Sequence, residues 1–332
     1  MILVTGGAGY IGSHIALALL DRGDEVVILD DLSTGYRALV PAGAEFVEGS
    51  SGDAEALAAL FARYRPSAIV HCAGSLSVPE SVAVPLAYYR NNVAGSLTLI
   101  EAALAAGVER FLFSSTCTVY GASEALRLHE ELPVAPVNPY AASKAMVERM
   151  LFDAAAAHGL RVAAARYFNV AGADPQGRSG QVSRRAVHLI KLAVQAALVP
   201  GRVMQVTGDD FDTPDGTGIR DYIHVSDLAA AHLAMLDRLA GDPAPLALNI
   251  GYGRGASVLD VLDMVDEVAG VRLARAVAPR RPGDVARLVA DPARALALLD
   301  WRPARDDLRT IIADALAWER HLLADPSRWP QG

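Results

Sequence analysis

The chain has 332 residues, 52% of them hydrophobic, and a formal net charge of −8 at pH 7. That length suits one large or two medium domains with a sizeable core. The acidic balance argues against a nucleic-acid partner, which needs a basic face, yet a local arginine cluster still suits an anionic ligand.

Two cysteines, Cys72 and Cys117, are too few for a disulfide framework, which points to a reducing, cytoplasmic setting. The opening MILVTGGAGY has no basic n-region and no small-residue cleavage site, so no signal peptide is expected. The longest apolar run, residues 186–199, is interrupted by His188, Lys191 and Gln195 and does not read as a membrane span. No histidine spacing suits a metal site.

In chain order, residues 2–4 read as a short apolar strand. A glycine-rich turn follows, then a helical pattern over 15–21. Strands are expected over 25–29 and 45–47, a helix over 54–64 and a strand over 67–72. A helix over 93–106 has Gly107 as its C-cap and leads to a strand over 110–113. A helix from Tyr140 and a strand over 161–165 complete the alternation. Apolar strands alternating with helices predict an α/β fold, a doubly wound parallel sheet of Rossmann type covered on both faces.

After about Phe168 the rhythm loosens into glycine- and proline-rich turns and shorter helices near 186–199, 226–240 and 257–269. This predicts a dinucleotide-binding domain over 1–170. A smaller α/β region over 171–332 follows, some of whose segments return to the first domain.

VTGGAGYIGS places Gly6, Gly9 and Gly12 directly after the first strand and at the opening of a helix. Glycine there permits a tight turn and close approach of a pyrophosphate to the positive helix N-terminus. Asp30 ends the second strand, where a carboxylate accepts hydrogen bonds from ribose hydroxyls and repels a 2′-phosphate. Asp31 follows, and no arginine occurs before Arg37, so the pattern favours NAD over NADP.

The fifth strand runs into FSSTCTVYG. Ligands bind at the carboxyl ends of strands in such sheets, so Ser114, Ser115 and Thr116 are expected to point hydroxyls at a substrate. In PYAASK, Tyr140 and Lys144 are spaced i, i+4 and share a helical face. A phenol titrates near ~10, and a close cation lowers that by roughly 1–3. The pair therefore reads as a general base with its ammonium partner.

On these motifs, together with RYFNVAGADPQG, DGTGIRDYIHV and RPGDVA, the chain resembles the extended short-chain dehydrogenase/reductase family nearly end to end. Within it the likeness is to the UDP-sugar 4-epimerase branch. The resemblance implies reversible C4 epimerisation of UDP-glucose and UDP-galactose through a transient 4-keto sugar, with NAD tightly bound. It implies that Tyr140 is the acid–base on the sugar 4-hydroxyl, Lys144 its ammonium partner and Thr116 the hydroxyl that shares the substrate oxygen.

Tyr10, Ile11, Asp31, Ser33, Ala73, Asn91, Ser114 and Tyr167 would join the glycine loop and Asp30 around the cofactor. Asn169, His188, Leu189 and Tyr222 would contact the UDP-sugar. Arg220 and Arg281 would clamp its diphosphate, a task suited to the guanidinium fork. Asp284 would touch the nucleotide, and Leu288 would line the sugar pocket.

Four positions depart from the family pattern. Ser50 stands where an adenine-contacting aspartate is usual, Leu76 where a lysine is common, His188 where an asparagine is frequent, and Leu288 at a position often held by tyrosine or a small residue. Nucleotide-sugar dehydratases and decarboxylases share the fold but carry carboxylates after the strand-end threonine, where this chain has Cys117-Thr118. Epimerases of other UDP-sugars and a non-catalytic NAD-sensing protein are the other readings; the latter typically lacks the tyrosine or lysine. The resemblance also implies a homodimer formed through the helices near 93–106 and 140–157.

Overall fold

The computed structural model describes residues 1–182, 187–199, 201–281, 284–326 and 329. Ala186 of the expected helix, residues 183–185 of QVSRRAVHLIK and the Pro282-Gly283 pair of RPGD lie outside the described residues.

The first part of the chain comprises β1 (Ile2–Thr5), α1 (Tyr10–Arg22), β2 (Val26–Asp30), β3 (Glu45–Glu48), α2 (Ala54–Tyr64), β4 (Ala68–His71), α3 (Val78–Ala83), α4 (Pro85–Tyr88), α5 (Gly95–Ala105), β5 (Arg110–Ser114), α6 (Pro139–His158) and β6 (Arg161–Tyr167). There follow β7 (Asn169–Ala171), α7 (Leu189–Leu198), β8 (Val203–Thr207), β9 (Ile219–His224), α8 (Val225–Gly241), β10 (Leu246–Ile250), β11 (Gly255–Ser257), α9 (Val258–Ala269), β12 (Ala274–Ala278), β13 (Arg287–Leu288), α10 (Ala293–Leu298) and α11 (Leu308–Ala324).

Seven strands form one parallel sheet in the order β10-β6-β5-β4-β1-β2-β3. Its central strands β1, β4 and β5 are apolar except at their ends (Thr5, His71, Arg110 and Ser114) because helices cover both faces. On one face Ile15 and Leu19 of α1 pack with Leu228, Met235 and Leu239 of α8. On the other, Leu57 and Phe61 of α2, Leu99 of α5 and Val147 and Leu151 of α6 form a second core. Each such side chain, fully buried, contributes roughly 1.5–3 kcal/mol.

Strand order reverses between β1 and β4, which opens a crevice at their carboxyl ends. Although it follows residue 170, β10 pairs with β6 and extends this sheet, and α8 packs beside α1. A third core gathers Val194 of α7, Val261 and Val265 of α9 and Ile312 of α11. A second small sheet centres on β9, which pairs with β7, β11 and β13.

Most boundaries shift by a residue or two from the sequence expectation, and two helices begin about a turn or more early. α1 begins at Tyr10 because its first turn is the glycine loop itself, where no apolar repeat marks a helix. The helix expected over 93–106 starts earlier, with a π-helical turn over Tyr89–Ala94 that runs into α5. It ends at Ala105; Ala106 is the cap, and Gly107 takes the left-handed conformation just beyond, at φ 71°. Among the described residues, no helix is long and apolar enough to cross a membrane.

Candidate active site

The turn after β1 is shaped for close backbone approach. Gly6 has φ 69°, and a Cβ on it would lie 2.7 Å from the Ala73 nitrogen in the loop after β4. A Cβ on Gly12 would fall 2.2 Å from the Gly6 carbonyl oxygen. Gly9 precedes α1 and supplies no side-chain cap, and the first N–H groups of a helix, here those of Tyr10, Ile11 and Gly12, have no acceptor within it. Such a cradle at the switch-point crevice fits a pyrophosphate.

Asp30, at the end of β2, is buried beside this cradle. Its carboxylate accepts from the backbone N–H of Ala8 and of Leu32, each at 2.9 Å. Burial raises its pKa, while the two N–H donors oppose the shift. Asp31 is exposed and accepts from both the backbone N–H and the hydroxyl of Ser33, at 2.9 and 2.5 Å. A glycine loop, a buried strand-end acid and an open helix N-terminus together fit the dinucleotide expected from sequence.

Tyr10 donates its hydroxyl to the Gly172 carbonyl at 2.7 Å, tying α1 to the turn after β7. Asn91 is exposed and donates to the Ser75 hydroxyl at 3.0 Å. Its buried neighbour Asn92, which the sequence reading did not single out, accepts from the Ser75 N–H and donates to Ser75 O and to the Ser143 hydroxyl. Asn92 thus fastens the loop after β4 to α6.

The start of α6 follows local rules. Asn138 caps it by accepting from the Ala141 N–H, and Pro139 occupies the first helical position. Tyr140 and Lys144, one turn apart, are both buried. The Thr116 side chain, just beyond β5, lies close enough to the Tyr140 phenol to work to lower its pKa, and its hydroxyl is 3.0 Å from that of Thr118. The Lys144 ammonium donates to the Ser114 carbonyl at 3.0 Å and lies 4.8 Å from the centroid of the Phe113 ring.

The strand-end hydroxyls do not all face one way, contrary to the sequence expectation. Ser114 Oγ is 3.2 Å from Cys72 Sγ and 3.1 Å from His232 Nε2, so it faces the α8 side. Ser115 donates to Glu148 of α6 at 2.5 Å. Thr116 alone of the three meets Tyr140. The strand ends at Ser114, so the pleat's alternation does not carry through to Thr116.

The phenol's pKa also departs from expectation. Burial pushes Tyr140 up to about 12, against a smaller lowering by the neighbouring Thr116 side chain. Burial likewise brings Lys144 down to about 8, partly offset by Cys72 and Glu148. Desolvation penalises both charged forms, and the ammonium is spent on the Ser114 carbonyl. A further positive charge beside the phenol is what would draw it toward neutral pH.

The small sheet assembles the remaining candidates. Asn169 of β7 is in register with Tyr222 of β9, and Leu288 of β13 with Arg220 of β9. Arg220 donates to Ile219 O at 2.9 Å and lies 4.0 Å from the Asp284 carboxylate. The Asp284 backbone N–H donates to the carbonyl of the exposed Arg281 at 3.1 Å. Leu288 packs against the cluster of Cys117, Val119, Tyr120 and Phe168 beside the strand-end threonine.

Asn169, Tyr222, His188 and Leu189 line one narrow cavity of about 20 Å³ with Gln181 and a buried Lys191–Glu319 ion pair. His188 is hydrogen-bonded through Nδ1 to Gln181 at 2.7 Å, and burial lowers its pKa. The last three of these companions escaped sequence reading, because Gln181 and Glu319 are 138 residues apart in the chain and no local pattern links them.

The model of the NAD dependent epimerase/dehydratase family matches residues 2–251. The UDP-glucose 4-epimerase of Azospirillum brasilense is 53% identical over 321 residues, 97% of this chain and 92% of its own length. The structure of UDP-glucose 4-epimerase from Brucella ovis in complex with NAD superposes with a TM-score of 0.92 at 42% identity, covering 95% of this chain and 97% of that one. That of UDP-glucose 4-epimerase from Bifidobacterium longum in complex with NAD⁺ and UDP gives 0.92 at 34% identity, covering 98% and 99%.

Proposed function

This chain belongs to the NAD dependent epimerase/dehydratase family, and we propose that it catalyses the reversible inversion of C4 in UDP-glucose and UDP-galactose with NAD as a bound catalyst. The observation that carries this reading is the buried Tyr140 phenol, beside the Thr116 side chain and one turn from Lys144 on α6.

Bound NAD supplies a reversible hydride acceptor for C4. Tyr140 takes the proton from the sugar 4-hydroxyl and returns it after the sugar has turned over. Thr116 shares the same oxygen and holds it against the phenol. Lys144, mostly protonated at neutral pH, fixes the Ser114 carbonyl one turn along α6 from the phenol. Gly6, Gly9 and Gly12 admit the cofactor's pyrophosphate, and Asp30 receives its adenosine ribose.

Arg220 and Arg281 hold the substrate diphosphate, with Asn169, Tyr222, Leu189, His188 and Asp284 around the nucleotide portion. Firm contact at the diphosphate leaves the sugar free to present either face to the base. The acid–base strength of a positioned side chain is worth ~10²–10⁴ in rate. Cys117 and Thr118 supply no carboxylate beside Thr116, which disfavours the elimination chemistry of the dehydratases.

The test is incubation of the purified protein with UDP-galactose and chromatography of the products. UDP-glucose should form with no net consumption of NAD; a dehydrated sugar as the product would refute the reading. A homodimer in the cytoplasm completes the proposal. α5 and α6 each leave an apolar side chain outward, Leu97 at 44% and Met146 at 47% exposure. Sedimentation equilibrium gives the oligomeric state directly.

A further inference from the structure

We propose that the buried Glu148–Arg166 pair is a positioning device that fixes the catalytic helix α6 against the end of β5, so that Tyr140 meets Thr116 in a reactive geometry. The inference rests on the activity proposed above.

Tyr140, Lys144 and Glu148 are spaced i, i+4 and i+8, so they lie along one face of α6. Tyr140 and Glu148 are about 12 Å apart along the helix at 1.5 Å per residue. Both touch the same short stretch of chain. Tyr140 lies beside Thr116, and Glu148 accepts the Ser115 hydroxyl at 2.5 Å. Lys144, between them, bonds the carbonyl of Ser114. Three consecutive residues at the end of β5 therefore grip three consecutive turns of α6. A helix held at several points along one face resists sliding and rotation, the two motions that would separate the phenol from Thr116.

Glu148 is itself locked from the far side. Arg166 of β6 donates to it through Nε at 3.0 and 3.2 Å and through a terminal nitrogen at 2.6 Å. The other terminal nitrogen donates to the Tyr120 hydroxyl at 3.0 Å, and that hydroxyl donates to Asn249 Oδ1 at 2.8 Å. Asn249 lies in β10, so the network spans β5, α6, β6 and β10. Ser115 is pinned to the same frame by its backbone N–H, which donates to Ala165 O at 2.9 Å.

Stability alone does not call for such a pair. Glu148 and Arg166 are 3% and 5% exposed, and desolvation of two buried charges commonly cancels their attraction. Apolar replacements of similar volume are often neutral or stabilising. What an apolar pair lacks is direction: it packs but does not fix the hydroxyl of Ser115 or the angle of the guanidinium.

The experiment separates the two roles. Glu148→Gln leaves the Arg166 charge buried without its counter-ion, and its Tm should fall. The double variant Glu148→Leu with Arg166→Met removes both charges, and its Tm should return to within a few degrees of wild type. Its kcat for UDP-galactose should nonetheless stay at least tenfold below wild type, with KM within threefold. Recovery of kcat together with Tm would overturn the proposal.

Should the double variant not fold, Ser115→Ala removes one tie and leaves no charge unpaired. It should lower kcat several-fold at unchanged Tm and KM, and an unchanged kcat would equally refute the inference. Every variant is read against wild type, so a wild-type protein inactive on UDP-galactose points to failure of the functional assignment and not of the positioning role.

Discussion

Thr116, in the residue run just past β5, neighbours the Tyr140 phenol on the first turn of α6 and works to lower its pKa, while burial raises it to about 12. The proposed proton carrier and the hydroxyl proposed to hold the substrate oxygen thus already lie side by side. Replacement of Tyr140 by Phe keeps the ring's packing and removes the proton carrier. We expect Tyr140→Phe to fold, to retain NAD and to lose ~10²–10⁴ in kcat. Steady-state turnover of UDP-galactose is the measurement, and retention of more than about a tenth of wild-type kcat would remove Tyr140 from the mechanism.

The high pKa of that phenol in the ligand-free chain makes a second prediction. Ultraviolet difference titration of NAD-free wild type against Tyr140→Phe should show no phenolate from this residue below about pH 10. With NAD⁺ bound, an added cation near the ring should bring its titration down by roughly 1–3. An identical midpoint with and without NAD⁺ would show that the cofactor's charge does not reach the phenol.

Lys144 makes stability depend on pH in a definite direction. Its pKa is near 10.5 when unfolded and about 8 when buried, so between these values the unfolded chain binds more protons. Stability from this group therefore rises with pH across that window, and the penalty is fully present below about 8. The shift corresponds to about 3 kcal/mol. Urea unfolding of wild type and Lys144→Met at pH 7 and pH 10 should show the wild type gaining on the variant at the higher pH. A constant difference would mean that Lys144 titrates normally in the fold.

Asp30 should enforce the choice of dinucleotide. Its carboxylate is held by the N–H groups of Ala8 and Leu32, so its charge sits at a fixed point beside the cradle. A 2′-phosphate there would meet a buried anion. Denatured protein assayed enzymatically should release NAD(H), and NADP(H) as the predominant nucleotide would reverse the assignment.

Leu288 stands opposite Arg220 in the small sheet and packs on the cluster around Cys117 and Phe168. It is shorter than the tyrosine that resembles narrow-specificity relatives and bulkier than cysteine or serine. A change of one methylene in a pocket is worth ~1–3 kcal/mol, so tolerance for a 2-acetamido group should be graded. UDP-N-acetylglucosamine should react detectably but less well than UDP-glucose, and Leu288→Tyr should depress the acetylated activity more. Comparison of kcat/KM for both sugars in both proteins decides it; an unchanged ratio rules out Leu288 as the gate.

Much of this protein was written in local pattern. Short apolar strands alternating with helices specify a parallel sheet, because a strand buried on both faces has no polar side to show. The glycines of VTGGAGYIGS and the acid at Asp30 mark the cofactor end through spacing along one strand–turn–helix unit. Tyr140 and Lys144 were legible for the same reason, since i, i+4 is a property of a single helix.

The tertiary structure decided what no single element contains. Which of Ser114, Ser115 and Thr116 meets Tyr140 depends on what lies beyond the strand end: His232 and Cys72 take the first hydroxyl and Glu148 the second. The direction of the Tyr140 and Lys144 pKa values depends on burial, which strips water from both charges, and sequence spacing gives no measure of that. Asn169, Tyr222, Arg220 and Leu288 come from three separated segments and meet because β7 and β13 pair with β9 in one register. Local chemistry chose the parts; the long-range pairing of strands and the exclusion of water set where each part points and how it is charged.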